Sequence, residues 1–403
     1  MKVLIPFSYY YPEHCAGLFV VDDMMHALAE QGDECVIYVP TPTRNVSENA
    51  KWEKNEYQCD GKIHIHRFPM YQEGKNPVLR ALRYLFCECY YLYRMLFDQY
   101  DVAFIDSTPP IQGLKLPIVN LFRHKKFVYN AQDLFPDTLS GTGIAKKGGL
   151  FYKIGSLVAK ITFKYSDTII AISNDIKNNL VSEKNVPENK VEVVYNWVDE
   201  NAVLPVKDED NPLFDEFCIS RDKFRVVYAG NLGNAQNIEV LINAAEQLRE
   251  DNSIEFIIFG SGGLENEIRD EIKVKRLSYV KLLPLQPFDR VSYVYSLGNV
   301  CVVSCKKGLG GSVMPSKTCN IMSCERPVLA HFDEGELKTI LEKGKCGVFT
   351  QSGDIEDFVQ SIKYLKENPA RCQTMGKNGR SFILQNMTKR IGASRYVEII
   401  KTL

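Results

Sequence analysis

Apolar residues in this chain cluster in short runs, separated by stretches in which they recur every three or four positions. The short runs lie at 2–7, 34–39, 102–105, 126–130, 168–172 and 192–195 in the first half. In the second half they lie at 224–229, 254–259, 278–282, 300–304, 327–330 and 346–349. Continuous apolar runs of this length predict strands buried on both faces. The longer period predicts helices over 18–31, 78–98, 237–250, 263–275, 288–297, 336–343 and 354–366, with one or two more over 378–403. His64 and His66 alternate with Ile63 and Ile65, which reads as a further strand. Strand and helix alternate throughout, so the expected class is α/β, with two doubly wound Rossmann-like domains.

The break between the domains shows as a change of composition. Residues 199–222 are rich in Asp and Glu, contain Pro205 and Pro212, and have no clear period. The expected plan is an N-terminal domain over 1–197, a linker over 198–222, a second domain over 223–385 and a C-terminal helix over 386–403. A return of that helix to the first domain is one course open to it. Ligands of open parallel sheets bind beyond the carboxyl ends of the strands. Two such sheets facing each other would hold a phosphate-bearing ligand in the cleft between them.

Composition narrows the class without changing it. The 403 residues are 45% hydrophobic and 25% charged, with a net charge of −1. That is an ordinary globular profile with no overall attraction to nucleic acid. The twelve cysteines form no CxxC pair and no zinc spacing with His. Many sit in apolar runs, as Cys301 does, and read as buried free thiols of a reducing compartment. No stretch approaches the ~20 apolar residues of a membrane span. The expected location is the cytoplasm or the inner face of a membrane.

Chemistry is expected in the loops that follow the strands. Phe259-Gly260-Ser261-Gly262-Gly263 joins a buried run to a helix, where glycines let backbone approach a phosphate. The same reading fits Gly230-Asn231-Leu232-Gly233. In Gly308-Leu309-Gly310-Gly311-Ser312 and the following Pro315-Ser316-Lys317, a hydroxyl and an ammonium join the glycines. The loop from Ser8 to Leu18, with Glu13 and Gly17, is the counterpart in the first half. It lacks GxGxxG and a ribose-binding acid, which counts against an NAD enzyme.

Taken in order, these stretches resemble a known family. They are Tyr11-Pro12-Glu13 with Gly17, Asn130-Ala131-Gln132-Asp133-Leu134-Phe135-Pro136-Asp137, Ala171-Ile172-Ser173, Tyr195-Asn196-Trp197-Val198-Asp199, Tyr228-Ala229-Gly230-Asn231, Phe259-Gly260-Ser261-Gly262, and Pro315-Ser316-Lys317 with Arg326-Pro327-Val328. The chain resembles the retaining nucleotide-sugar glycosyltransferases of the fourth family, which have the GT-B fold. Within it, the exopolysaccharide and O-antigen branch typified by L-fucosamine transferases is most similar. The resemblance implies that Gly17 faces donor diphosphate and acceptor, and that Leu285 and Gln286 edge the base. It places Ser312 and Asn320 where the family often has two donor-binding glutamates. Asn231 and Gln236 or Asn237 stand for the usual Arg and Lys, and Gln132 stands for a usual His.

These departures leave the charge of a departing nucleoside diphosphate to be met by something preorganised. Lys317 is the expected cation, helped by backbone N–H groups at 230–233 and 310–317. Asp133 is the expected second catalytic residue, orienting hydroxyls of donor or acceptor. Glu13 and Gln132 are acceptor-side candidates. The donor-binding set is Gly17, Gly230, Asn231, Gly233, Gly260, Ser261, Gly262, Leu285, Gln286, Ser312, Ser316 and Asn320. No metal and no cofactor are expected, since the nucleotide-sugar is a substrate. The implied reaction moves a sugar, UDP-linked in the donor, to a lipid-linked glycan with retention, in capsule, exopolysaccharide or O-antigen synthesis. The rival readings are a non-catalytic nucleotide-sugar-binding protein and a nucleotide-sugar 2-epimerase.

The first half also carries a basic, apolar stretch. Residues 61–165 hold 15 Lys/Arg against 7 Asp/Glu. Lys146, Lys147, Lys153, Lys160 and Lys164 flank Leu150-Phe151-Tyr152 and Leu157-Val158, while Arg80, Arg83 and Arg94 frame 84–93. Helices of this kind suit an anionic bilayer. An inner membrane surface met by 78–98 and 145–165 is therefore an expected partner, beside the donor and a lipid-linked acceptor.

Overall fold

The computed structural model describes the chain except residues 14, 16, 44–49, 73–75, 139–145, 147 and 311–313. It divides into two compact units, Met1–Tyr195 with Arg390–Leu403, and Asn196–Lys389.

The first unit is built on β1 (Lys2–Pro6), β2 (Glu34–Pro40), β3 (Asn55–Gln58), β4 (Ile63–Phe68), β5 (Val102–Asp106), β6 (Lys126–Ala131), β7 (Thr168–Ala171) and β8 (Val191–Val193). Their order in the sheet is β3-β4-β2-β1-β5-β6-β7-β8. All neighbours are parallel except β3 and β4. The central strands are the apolar runs: Val3, Leu4 and Ile5 of β1 are fully buried, as are Ala103, Phe104 and Ile105 of β5. Strand β3 was not anticipated. It is a polar edge strand, and its Asn55 Oδ1 meets the outward His64 and His66 rings of β4.

The second unit is built on β9 (Phe224–Asn231), β10 (Ile254–Ser261), β11 (Val280–Pro284), β12 (Val300–Ser304), β13 (Val328–Phe332) and β14 (Gly347–Gln351). They form one parallel sheet in the order β11-β10-β9-β12-β13-β14. This is the doubly wound order, in which connections turn opposite ways on leaving β9 and β12. Val226, Tyr228, Phe256, Ile258, Val300 and Val302 pack from this sheet onto helices Glu239–Gln247 and Ile355–Glu367. Each such side chain contributes about 1.5–3 kcal/mol by leaving water. Both sheets are thus the Rossmann-like, parallel sheets of a GT-B fold.

Two stretches outside the sheets complete the units. Residues 198–222 lie along the second unit: the Leu204 and Val206 amides donate to Ser292 Oγ (3.0 Å) and Ser296 Oγ (2.9 Å), and Leu213 and Phe214 are buried. Helix Lys389–Lys401 sends Tyr396 into the first unit, its ring 6.0 Å from that of Phe104. Helix Pro369–Asn386 begins earlier than the expected 378. Helix Leu116–Arg123 was not anticipated at all. No helix among the described residues is long and apolar enough to cross a membrane.

Candidate functional site

The doubly wound order puts the loops after β9 and β12 side by side at the carboxyl end of the second sheet. At the end of β9 the chain turns through Gly230, whose φ of +142° disfavours any residue with a Cβ. A Cβ there would also stand 2.8 Å from Lys317 Nζ. Tyr228, buried beneath, donates its hydroxyl to Asn231 O (2.8 Å).

The glycines at the exit of β10 have a packing reason of their own. A Cβ on Gly260 would lie 2.7 Å from Gly230 O, and one on Gly262 would lie 2.5 Å from Leu232 O. The turns are zipped together by Leu232 N–H to Ser261 O and Leu264 N–H to Leu232 O, both 2.9 Å. The helix after them, Glu265–Val274, carries Glu265 and Glu267 in its first turn. Those acids already meet the positive end of its dipole. The loop at 260–262 therefore serves the junction of two turns, whatever else touches it. Asn231 Nδ2 donates to Gln236 Oε1 (3.3 Å) beside Gly233, a neutral pair where the resemblance expects cations. Ser261 is exposed.

Lys317 begins helix Lys317–Ser323. Its ammonium lies 3.9 Å from the centre of the Tyr228 ring. It is sealed from solvent and has no hydrogen-bond partner among the described residues. Burial alone lowers its pKa from 10.5 to about 7. A cation held over an aromatic face without a counter-ion is a receptor for an anion. Ser316 is exposed at the head of the same helix, and Asn320 is half-buried one turn on. Ser312 lies outside the described residues. The Gly308 and Gly310 amides donate to Asp333 Oδ2 at 2.7 and 2.9 Å, so these two N–H groups are already occupied. Leu285 and Gln286 follow β11 at the sheet edge, about 10 Å to the side of β9. Leu285 is exposed, while Gln286 bonds Pro284 O and Arg290.

In the first unit the matching position lies between β1 and β5. Gly17, with φ +81°, is placed so that a Cβ would lie 3.9 Å from Gln132 Cγ. Glu13 is buried, and its Oε1 accepts the Thr43 amide (2.8 Å), so it holds the 41–43 turn. Asp133 is exposed as a residue, and desolvation around its carboxyl raises the pKa.

Beside these candidates lies a cluster that sequence reasoning missed. Asp106, at the end of β5, is buried. Its Oδ1 accepts from Asn130 Nδ2 (3.0 Å) and its Oδ2 from the Thr108 amide (3.1 Å). Asn130 Oδ1 in turn accepts from Gln132 Nε2 (3.1 Å) and the Tyr396 hydroxyl (2.9 Å). Burial pushes the Asp106 carboxyl up to about 7; the hydrogen bonds from Thr108 and Asn130 oppose this and the Asp133 charge adds to it. The signal was available, because Asp106 closes an apolar run beside the switch point of its sheet. Tyr228 and Asp333 were missed as well.

Comparison with known proteins agrees with the fold. The family model "Glycosyltransferase Family 4" matches residues 19–202, and "Glycosyl transferases group 1" matches 211–382. The putative colanic acid biosynthesis glycosyl transferase WcaI of Escherichia coli (strain K12) is 27% identical over 337 residues, covering 80% of this chain and 81% of its own. Sucrose-phosphate synthase from Thermosynechococcus elongatus shares the fold with a TM-score of 0.79 at 16% identity, over 100% of this chain and 98% of its own. Anabaena HepE, solved in complex with UDP, does so with a TM-score of 0.74 at 15% identity, over the whole of both chains. The match sets aside the epimerase and the non-catalytic readings. The chain belongs to the family 4, group 1, glycosyltransferases, retaining nucleotide-sugar enzymes of the GT-B fold.

Proposed function

We propose that this enzyme moves a sugar from a UDP-linked donor to a lipid-linked glycan, with retention, in the synthesis of a cell-surface polysaccharide. The observation that carries the donor half is Lys317. Its buried ammonium, without a hydrogen-bond partner among the described residues, stands against Gly230, where a Cβ would lie 2.8 Å from Nζ. As the sugar–phosphate bond breaks, negative charge grows on the leaving diphosphate, and a fixed cation stabilises it. The departing phosphate then accepts the acceptor's proton, which relieves the protein of a strong general base. Support for UDP comes from HepE, solved with UDP and with UDP-glucose. Support for polysaccharide synthesis comes from the colanic acid role in the WcaI description. In the first unit, Gln132 and Asp133 are the groups that would orient hydroxyls, with Glu13 as a further acceptor-side candidate.

A thermal-shift screen tests the donor. UDP and one of its sugars, UDP-glucose or UDP-N-acetyl-L-fucosamine among them, should raise Tm by several degrees, because they bind only the folded chain. GDP or CDP raising it while UDP does not would overturn the UDP assignment.

The lipid-linked acceptor is supported by three helices of the first unit. Pro77–Phe97 and Leu150–Tyr165 both pack on Leu116–Arg123. Their outer faces leave Phe97, Leu121, Phe122, Leu150 and Phe151 between 67% and 81% exposed. Lys153, Lys160 and Lys164 are exposed on the last helix, and Lys146 and Arg80 nearby. An apolar face with basic flanks suits an anionic bilayer surface. The protein should float with phosphatidylglycerol-containing liposomes and stay behind with pure phosphatidylcholine. Equal recovery with both would count against the membrane.

A further inference from the structure

The donor-site ammonium is held by an uncharged group. Lys317 Nζ lies 3.9 Å from the centre of the Tyr228 ring, a close approach for a cation over an aromatic face. It has no hydrogen-bond partner among the described residues, and burial is the one influence that lowers its pKa. Tyr228 is itself fully buried. Burial pushes its phenol well above the usual range, so the ring stays neutral. What meets the ammonium among the described residues is therefore the negative face of a ring.

The ring is pinned from its far end. Tyr228 lies in β9, two residues before Gly230, and its hydroxyl donates to Asn231 O (2.8 Å). Gly230 touches both ends of the contact: a Cβ there would stand 2.8 Å from Lys317 Nζ and 3.7 Å from Tyr228 Oη. The turn is tied in addition to β10, where Leu232 N–H donates to Ser261 O (2.9 Å). One side chain thus fixes the turn with its hydroxyl and receives the cation on its face.

Helix Lys317–Ser323 has its place without Tyr228. Ser323 Oγ donates to Val203 O (2.6 Å), and Arg380 Nη1 donates to Ser323 O (2.8 Å). Those bonds set the backbone of Lys317 and leave the tip of its flexible four-carbon stem to be set by what it touches. The touch on the ring is direct. A carboxylate in that place would hold the tip too, but would cancel the field that a diphosphate meets. An aromatic face holds the tip and leaves its charge whole.

We propose that Tyr228 is a positioning residue of the donor site: its ring seats the Lys317 ammonium beside Gly230 without neutralising it, so that the full charge meets the diphosphate of the nucleotide. The inference rests on the proposed donor reading. The role is exerted through Lys317 and asks for no contact between Tyr228 and substrate.

The test exchanges the ring for others of nearly the same shape. UDP affinity of the full chain is measured by calorimetry for the wild type, for Tyr228→Phe, and for chains carrying mono-, di- and trifluorinated phenylalanine at this position. The melting temperature of each unliganded protein is recorded beside it. Fluorine withdraws electron density from the ring face and changes its volume little. Tyr228→Phe should bind UDP within about threefold of the wild type, because the face remains. Each added fluorine should weaken UDP binding further, by about tenfold over the series, while melting temperatures stay level. A poorer face makes the buried ammonium harder to keep charged and in place. Equal affinity across the series, or affinity that rises with fluorination, would overturn the proposal. So would full loss of binding in Tyr228→Phe, which puts the role in the hydroxyl, or a loss that follows a falling melting temperature, which marks general damage. A wild type that fails to bind UDP overturns the donor reading itself, an outcome distinct from these.

Discussion

Replacing Lys317 by methionine should stop transfer and make the protein more stable. The Lys317 ammonium is out of contact with solvent and has no hydrogen-bond partner among the described residues. Its pKa falls from 10.5 to about 7 through burial. The unfolded chain therefore binds a proton that the folded chain gives up between these two values. The penalty is fully present below pH 7 and fades as pH rises toward 10.5. Methionine fills a similar volume without a charge, so the gain near pH 7 should be on the order of 3 kcal/mol, shrinking toward pH 10. Transfer from the nucleotide-sugar should fall by about 100-fold or more, the scale for loss of one preorganised group at a developing anion. Melting curves at pH 7 and pH 9.5 beside initial rates measure both. A variant that is less stable at pH 7 and still active would contradict the assignment twice over.

Asp106→Ala should act in the opposite sense on stability. It strips acceptors from Asn130 Nδ2 and from the Thr108 and Ser107 amides. A buried donor left unpaired costs about 1–3 kcal/mol. The wild-type carboxyl carries a cost of its own, because burial raises it from 3.8 to about 7. The folded state holds an extra proton in that window. The group's contribution is complete below about pH 4 and is lost as pH climbs through 7. The variant should thus be destabilised by several kcal/mol at pH 5 and by clearly less at pH 8. Equal Tm losses at the two pH values would count against a buried, titrating Asp106.

The plan of the two sheets was legible because their inner strands are plain apolar runs, as in 226–229, 256–259 and 300–303. Strand β3 was not, since Asn55, Glu56 and Gln58 are polar and only the ladder to β4 makes them a strand. Helix Leu116–Arg123 hid its period by being apolar on both sides: Leu116 and Val119 face inward while Ile118, Leu121 and Phe122 face out. Among the candidate site residues, Gly230 and Lys317 stand out from local pattern. Asp333 and Tyr396 could not, because their partners lie 23 to 266 residues away. Local pattern also cannot tell a glycine that admits a ligand from one that admits another turn. Gly260 and Gly262 are of the second kind at least.

The return of residues 390–403 to the first unit has a bearing on how the chain forms during synthesis. The second unit is one unbroken stretch, Asn196–Lys389, and every residue of it is made before Arg390. The first unit begins at the first residue but lacks Tyr396 until the whole second unit has been translated. Until then Asn130 has no hydroxyl to bond, and the apolar wall around Phe104 stays open. Domains tend to fold as units in the order they emerge. Here the unit that emerges first is the one completed last, so an early-made half waits on the ribosome for its final helix.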